Sequence, residues 1–358
     1  MKHISVLALF AAVAMPFGAV QAAPVSNLHT SGVITKNIAT MQHSILLNSI
    51  DKFGAATNLD AYSDYTTSHV SHEKCPVVYG KMKPYGEYGD DGTVFKSGRS
   101  GGEIGASNYN WFDWQHAQDK AEFKDFDKID SRYDIISMGF SNEPQHINGG
   151  YSQFGGFGGL IIASEKNDDF KTSELGGFIG LFKGYHWNGF NLVAAGDLGA
   201  LFSDAKSAPG KFSFTNFWLG AGLDASYDIK LAEYFTLQPG VYGGYTWIYS
   251  TGYQTETGAD ISIDSLHNFE VSPALRAITR LGNGWYGTLS GRYVLNFDAG
   301  GDAEIAGAKI PELELKDYAE YGLGIEKNME RFGIGVSVGR RDGGRTGWIG
   351  DLHIKYIF

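Results

Sequence analysis

Charged residues recur along the second half of the chain: Asp197, Asp224, Asp228, Glu270, Arg276, Arg280, Arg292, Glu320, Glu326, Asp351 and Lys355. Each lies where polar and apolar residues alternate, so the charges collect on one face of extended chain. Mixed charges on such a face line water-filled passages and set which ions pass. They can equally pair with one another, hold a neighbouring element and stiffen a wall. A hydrolase reading needs carboxylates beside an imidazole. Its candidates are the pairs Asp90-Asp91 and Asp168-Asp169, and Asp264 near His267. All of these read as parts of acidic loops or strand starts, where such residues are common without chemistry. No His or Cys spacing suits a metal, and the run Gly155–Gly159 follows no phosphate-loop pattern. Neither a catalytic group nor a cofactor is expected. Cys75 is the one cysteine and makes no internal disulfide. The net charge of −11 disfavours nucleic acid as a partner.

The elements that must position these charges are mostly strands. Residues 1–22 read as a secretory signal: Lys2, an apolar run from Ile4 to Ala14, and small residues at Val20-Gln21-Ala22. The apolar run is well short of the roughly 20 residues of a spanning helix. Residues 23–75 form a short N-terminal segment. Within it Ile34, Ile38, Met41, Ile45 and Phe53 recur at helical spacing, with Leu46, Leu47 and Ile50 widening the stripe. This predicts one amphipathic helix over 35–53, capped by Gly54, and a linker to 75. The pore of a barrel is its expected place, because Lys36 and Lys52 are too few basic residues for a surface-bound helix.

From residue 76 the chain alternates. Strands are expected near 77–89, 132–142, 150–165, 171–186, 189–203, 214–230, 235–250, 265–281, 284–297, 316–328, 331–341 and 346–358. Short turns, two of them Asn188-Gly189 and Asn283-Gly284, alternate with more polar connections near 165–172, 204–213, 250–264, 298–316 and 341–346, most of them longer. Phe332, Ile334, Val336 and Val338 oppose Arg331, Gly333, Gly335 and Ser337. The apolar set must face lipid, since slipping by one residue would put charge into hydrocarbon. The 49 glycines and 14% aromatics fit such strands. The reading is all-β: a twelve-stranded antiparallel transmembrane β-barrel, 76–358, in the outer membrane of a Gram-negative cell. Its expected surroundings are outer-membrane lipid and lipopolysaccharide, and a monomer is expected.

The closing strand Leu352-x-Ile354-x-Tyr356-x-Phe358 looks like an outer-membrane assembly signal, which implies the barrel assembly machinery as a partner. The whole of 76–358 resembles the translocator domain of autotransporters (type V secretion). The segment Lys81–Gly86 looks like that family's first strand. Arg132–Phe140, Asn191–Gly196 and Leu237–Val241 resemble later ones. The resemblance implies a helix that plugs the pore, which favours the pairing role for the lumen charges. It departs from the family in having no β-helix passenger and no Asn-Asn pair near the helix. Residues 90–131 are expected to form a long first outer loop. There Trp111, Phe112 and Trp114 would either anchor a partner or fold over the pore mouth. The function expected is that of an autotransporter-type barrel without a passenger, for surface display or export of a short N-terminal segment. A porin-like diffusion channel and an adhesin acting through 90–131 are the alternatives.

Overall fold

The computed structural model describes residues 22–57, 108–123, 128–147, 150–207, 210–256, 258, 260–305, 308–309, 313–329 and 331–358. The expected signal peptide, the strand at 77–89, Asp90-Asp91 and Cys75 lie outside these residues.

Twelve long strands form the wall: β1 (Tyr109–Ala121), β2 (Ile129–Ser141), β3 (Gly150–Lys166), β4 (Phe170–Trp187), β5 (Phe190–Ser207), β6 (Gly210–Tyr227), β7 (Phe235–Ser250), β8 (Leu266–Gly282), β9 (Trp285–Gly300), β10 (Tyr318–Asn328), β11 (Phe332–Gly343) and β12 (Arg345–Ile357). Each pairs antiparallel with its neighbours in sequence. The sheet closes where β1 meets β12, from Tyr109 opposite Ile357 to Ala121 opposite Arg345. Closure satisfies the backbone groups of both edge strands, which hydrocarbon demands.

The first strand corrects the sequence reading. Trp111, Phe112 and Trp114 sit inside β1, within the segment 90–131 that reads as a loop. Trp111 faces the lumen and is buried, while Phe112 and Trp114 face outward from the wall. None is a loop anchor. The strand escapes pattern reading because neither face is purely apolar: Trp111, Asp113, Gln115, Ala117 and Asp119 point in, and Phe112, Trp114, His116, Gln118 and Lys120 point out.

Elsewhere the alternation holds. On β10 Tyr321, Leu323 and Ile325 point out, and on β11 Phe332, Ile334, Val336 and Val338 do so. Tyr185, Trp187, Trp285, Tyr356 and Phe358 are exposed near strand ends at one rim, where interfacial aromatics belong. That rim carries the C-terminus and the tight turns. Asn188 and Gly189 (φ 49° and 82°) and Asn283 and Gly284 (φ 51° and 75°) take left-handed backbone there, as two-residue hairpin turns require. Tight turns mark the periplasmic end of an outer-membrane barrel. At the other, outer end the structure corrects a second expectation. The polar stretches near 165–172, 204–213 and 341–346 are largely strand, because above the membrane both faces meet water. Among the described residues, long outer connections follow β7 after Ser250 and β9 after Gly300. They add a small sheet of Tyr253–Gln254, Asp260–Ile263, Ala303–Ile305 and Ala308–Lys309.

Inside the barrel runs α1 (Ala22–Thr57). Its 36 residues span about 54 Å at 1.5 Å each. It starts earlier than 35, with Pro24 tolerated in its first turn, and it passes through Gly54 rather than being capped there. From Thr30 to Phe53 almost every residue is buried. The wall surrounds the helix, so its polar side is buried as thoroughly as its apolar one.

Candidate functional site in the barrel lumen

The apolar stripe Ile34, Ile38, Met41, Ile45 and Leu46 joins Phe157, Phe178, Phe182, Val193, Leu201, Trp218 and Tyr242 in one core. The helix therefore leans on β4–β7, packing closest along β5. Its polar residues meet the wall in three levels.

At the outer level Lys36, wholly buried, donates to the Asp298 carboxylate and, at 3.0 Å, to the Gly300 carbonyl. Asn37 donates to Glu165. Arg345 donates to Asn37 (2.8 Å) and Thr40 (2.9 Å) while gripping both oxygens of Asp119 at 2.9 Å.

At the middle level Gln42 donates to Asp197 (3.0 Å) and accepts from Thr246 (2.5 Å). The Trp218 indole also donates to Asp197, at 2.9 Å. His43 pairs with Glu270. Arg341, 1% exposed, donates to Glu320 (2.8 Å), Asp119 (3.1 Å), the Tyr133 hydroxyl (2.8 Å) and Ser44 of the helix (3.3 Å). Its guanidinium lies over the Tyr133 and Tyr318 rings.

At the periplasmic level Arg276 donates to Asp51 at 2.5 Å and Lys52 to Asp113 at 2.7 Å. The Tyr109 hydroxyl donates to the Lys52 carbonyl at 2.9 Å. Phe53 covers Gly184, where any Cβ would meet its ring.

Buried charges persist only when paired, and here most pairs join the helix to the wall or one strand to another. Of the charges expected in the lumen, Asp197, Glu270 and Arg276 hold the helix directly. Asp224 shares a small cavity with Asp51, Arg276 and Arg292. Arg292 and Arg341 flank Glu320, and Lys355 donates to Glu326 at 2.8 Å. Asp351 lies beside His353. Asp228 sits at the periplasmic rim, accepting from Asn191 and Gln238. Arg280 lies on the lumen-facing side of β8 near the same rim, its backbone N–H donating to the Tyr234 carbonyl. Asp113, Asp119, Glu165, Arg341 and Arg345, which organise much of this network, do not stand out in the sequence. Glu165 and Arg341 fall at the outer ends of strands already expected at 150–165 and 331–341; Asp113 and Asp119 required recognising β1, and Arg345 required starting β12 one residue earlier.

The small outer sheet packs beside the helix at the mouth, with Tyr253 stacked on Phe212 at 4.5 Å between ring centres. Beside it, in the β1–β2 connection, a hydrogen bond from Lys128, with Lys316 nearby, holds the Glu122 carboxyl below its usual range. Asp264 and His267 do not form a site: His267 turns outward to the Tyr245 hydroxyl (2.7 Å). Asp168 and Asp169 occupy the hairpin between β3 and β4. A polar cavity of about 220 Å³ lies beside the helix along β8–β12, lined by residues including Arg276, Arg292, Glu320, Glu326 and Lys355.

No family model matches the sequence and no curated protein is similar to it. Solved structures are similar in fold. The translocator domain of the autotransporter NalP from Neisseria meningitidis aligns with a TM-score of 0.61 at 8% identity, over 70% of this chain and 88% of that one. The β domain of the Bordetella autotransporter BrkA aligns with a TM-score of 0.58 at 14% identity, over 70% of this chain and all of that domain. The transport unit of AIDA-I from Escherichia coli gives 0.58 and 14%, over 70% of this chain and 90% of that unit. The chain is thus an outer-membrane β-barrel with the autotransporter translocator fold, twelve strands closed around its own N-terminal helix.

Proposed function

We propose that this barrel keeps its own helix as a plug and carries almost no passenger, displaying or exporting only the short segment at its N-terminus. The direction of the helix carries this reading. Lys36–Thr40 are bonded at the outer level, and Asp51–Phe53 at the rim that bears the C-terminus. The chain therefore enters from outside and descends, so whatever precedes the helix is directed outward.

The test is single-channel conductance in a planar bilayer, comparing the mature protein with one lacking residues 23–60. A nearly closed mature protein and a conducting deletion support the plug. Equal conductance overturns it and supports the diffusion channel, whose route would be the polar cavity beside the helix. An epitope placed ahead of residue 30 in the otherwise complete protein gives a second reading. Antibody binding on intact cells supports outward display, and binding only after permeabilisation refutes it.

A further inference from the structure

The barrel's seam, where β1 meets β12, carries a cluster that plugging alone does not require. Asp113 lies directly opposite His353, and Gln115 opposite Asp351. Directly opposed residues bring their Cβ atoms to about 4.5–5.5 Å. All three cluster residues face the lumen, and one donor atom from each of Asp113, Asp351 and His353 lies within 4.8 Å of the others. Asp113 is fully buried; Lys52 takes one of its oxygens, and the other, Oδ2, has no hydrogen-bond partner. Asp351 Oδ2 is likewise buried and unsatisfied. Two orphaned carboxylate oxygens beside an imidazole are costly unless something cationic joins them.

The imidazole is set up for that role. Glu326 Oε2 lies 3.2 Å from His353 Nε2, and Lys355 holds the other Glu326 oxygen at 2.8 Å. Nε2 is buried and makes no hydrogen bond as the ring stands; a small rotation onto Glu326 would place its proton there and leave Nδ1 with its lone pair toward Asp351, 3.5 Å away. A carboxylate behind a ligating histidine fixes its tautomer and raises its basicity. The cavity beside the helix is lined in part by Asp351 and His353.

We propose that Asp113, Asp351 and His353 form a binding site for a divalent transition-metal ion of the zinc type, linking the first strand to the last at the foot of the helix. One nitrogen and two carboxylates suit zinc or cobalt. Calcium wants six to eight oxygens and is poorly served. Coordination draws the donor atoms to roughly 3–3.5 Å apart, a side-chain adjustment. Lys52 is the built-in competitor, because its ammonium already neutralises Asp113.

The experiment titrates the mature protein in detergent micelles with Co²⁺, reading visible d–d absorption, and then displaces it with Zn²⁺. One Co²⁺ per chain is expected. His353→Gln and Asp351→Asn each lose the spectrum or weaken binding at least tenfold. Glu326→Gln, which removes only the group behind the ring, weakens it about 10- to 100-fold. Lys52→Met acts oppositely and tightens binding, since it removes the competitor and leaves every ligand in place. β-Sheet circular dichroism checks each variant before titration. Absence of d–d absorption in the wild type at millimolar Co²⁺ overturns the site. So does affinity unchanged in His353→Gln and Asp351→Asn, or weakened in Lys52→Met.

Discussion

Lys36 offers a direct measure of what keeps the helix in the pore. Its ammonium is wholly buried and its partner Asp298 has a side chain only 5% exposed. Lys36→Met keeps the length and apolar stem of the side chain and removes the charge. Asp298 then keeps only long contacts from the Leu315 amide, at 3.3 Å. Removing one partner of a buried pair costs about 3–5 kcal/mol, because the other charge stays buried and uncompensated. At 1.4 kcal/mol per tenfold, the ratio of released to docked helix should rise on the order of 10²- to 10³-fold. The assay is the open fraction of single channels in a planar bilayer. The double variant Lys36→Met/Asp298→Leu should return most of the closed state, since replacing both partners is close to neutral. An open fraction unchanged in Lys36→Met, or a double variant more open than the single one, would refute the idea that this pair holds the helix.

Other outcomes follow from the same wall. Gly220→Ala should destabilise docking, because its Cβ would meet Gln42 and Asp197. Gly291→Ala, with open space around it, should leave the unfolding free energy within about 0.5 kcal/mol of wild type. Leu323→Arg, on the lipid face and 60% exposed, should cost about 2–4 kcal/mol if it sits near the midplane, measured by urea unfolding from lipid vesicles. Phe358→Ser should lower the amount assembled in cells while leaving the stability of refolded protein nearly unchanged. Its ring is 64% exposed at the rim, so the loss would be of recognition rather than packing; equal loss in both assays would count against that. Gly189→Val should cost about 1–2 kcal/mol from left-handed strain, read in the same unfolding assay.

Most of the wall was legible because lipid on one side and a packed lumen on the other impose a period of two, as in Phe332 to Val338. The Asn-Gly turns were legible because few other residues accept their backbone. β1 was not, since its inward aspartates are balanced by Lys52, Arg341 and Arg345, all distant in sequence. The outermost residues of β5 and β6, 204–207 and 210–213, were read as a polar connection because strands above the membrane lose the lipid face that marks them. The helix stripe predicted where apolar contact would lie. It carried no information about which wall residue each polar side chain meets, because that depends on how far the helix is inserted.

The closing pair of strands has a consequence for how the molecule is built. Arg345 of the last strand binds Asp119 of the first and Asn37 and Thr40 of the helix. Asp113 of the first strand binds Lys52. The joint rests on the backbone ladder between β1 and β12, and the seated helix adds side-chain bonds to both of these strands, so docking the helix also tightens the seam between the first strand and the last.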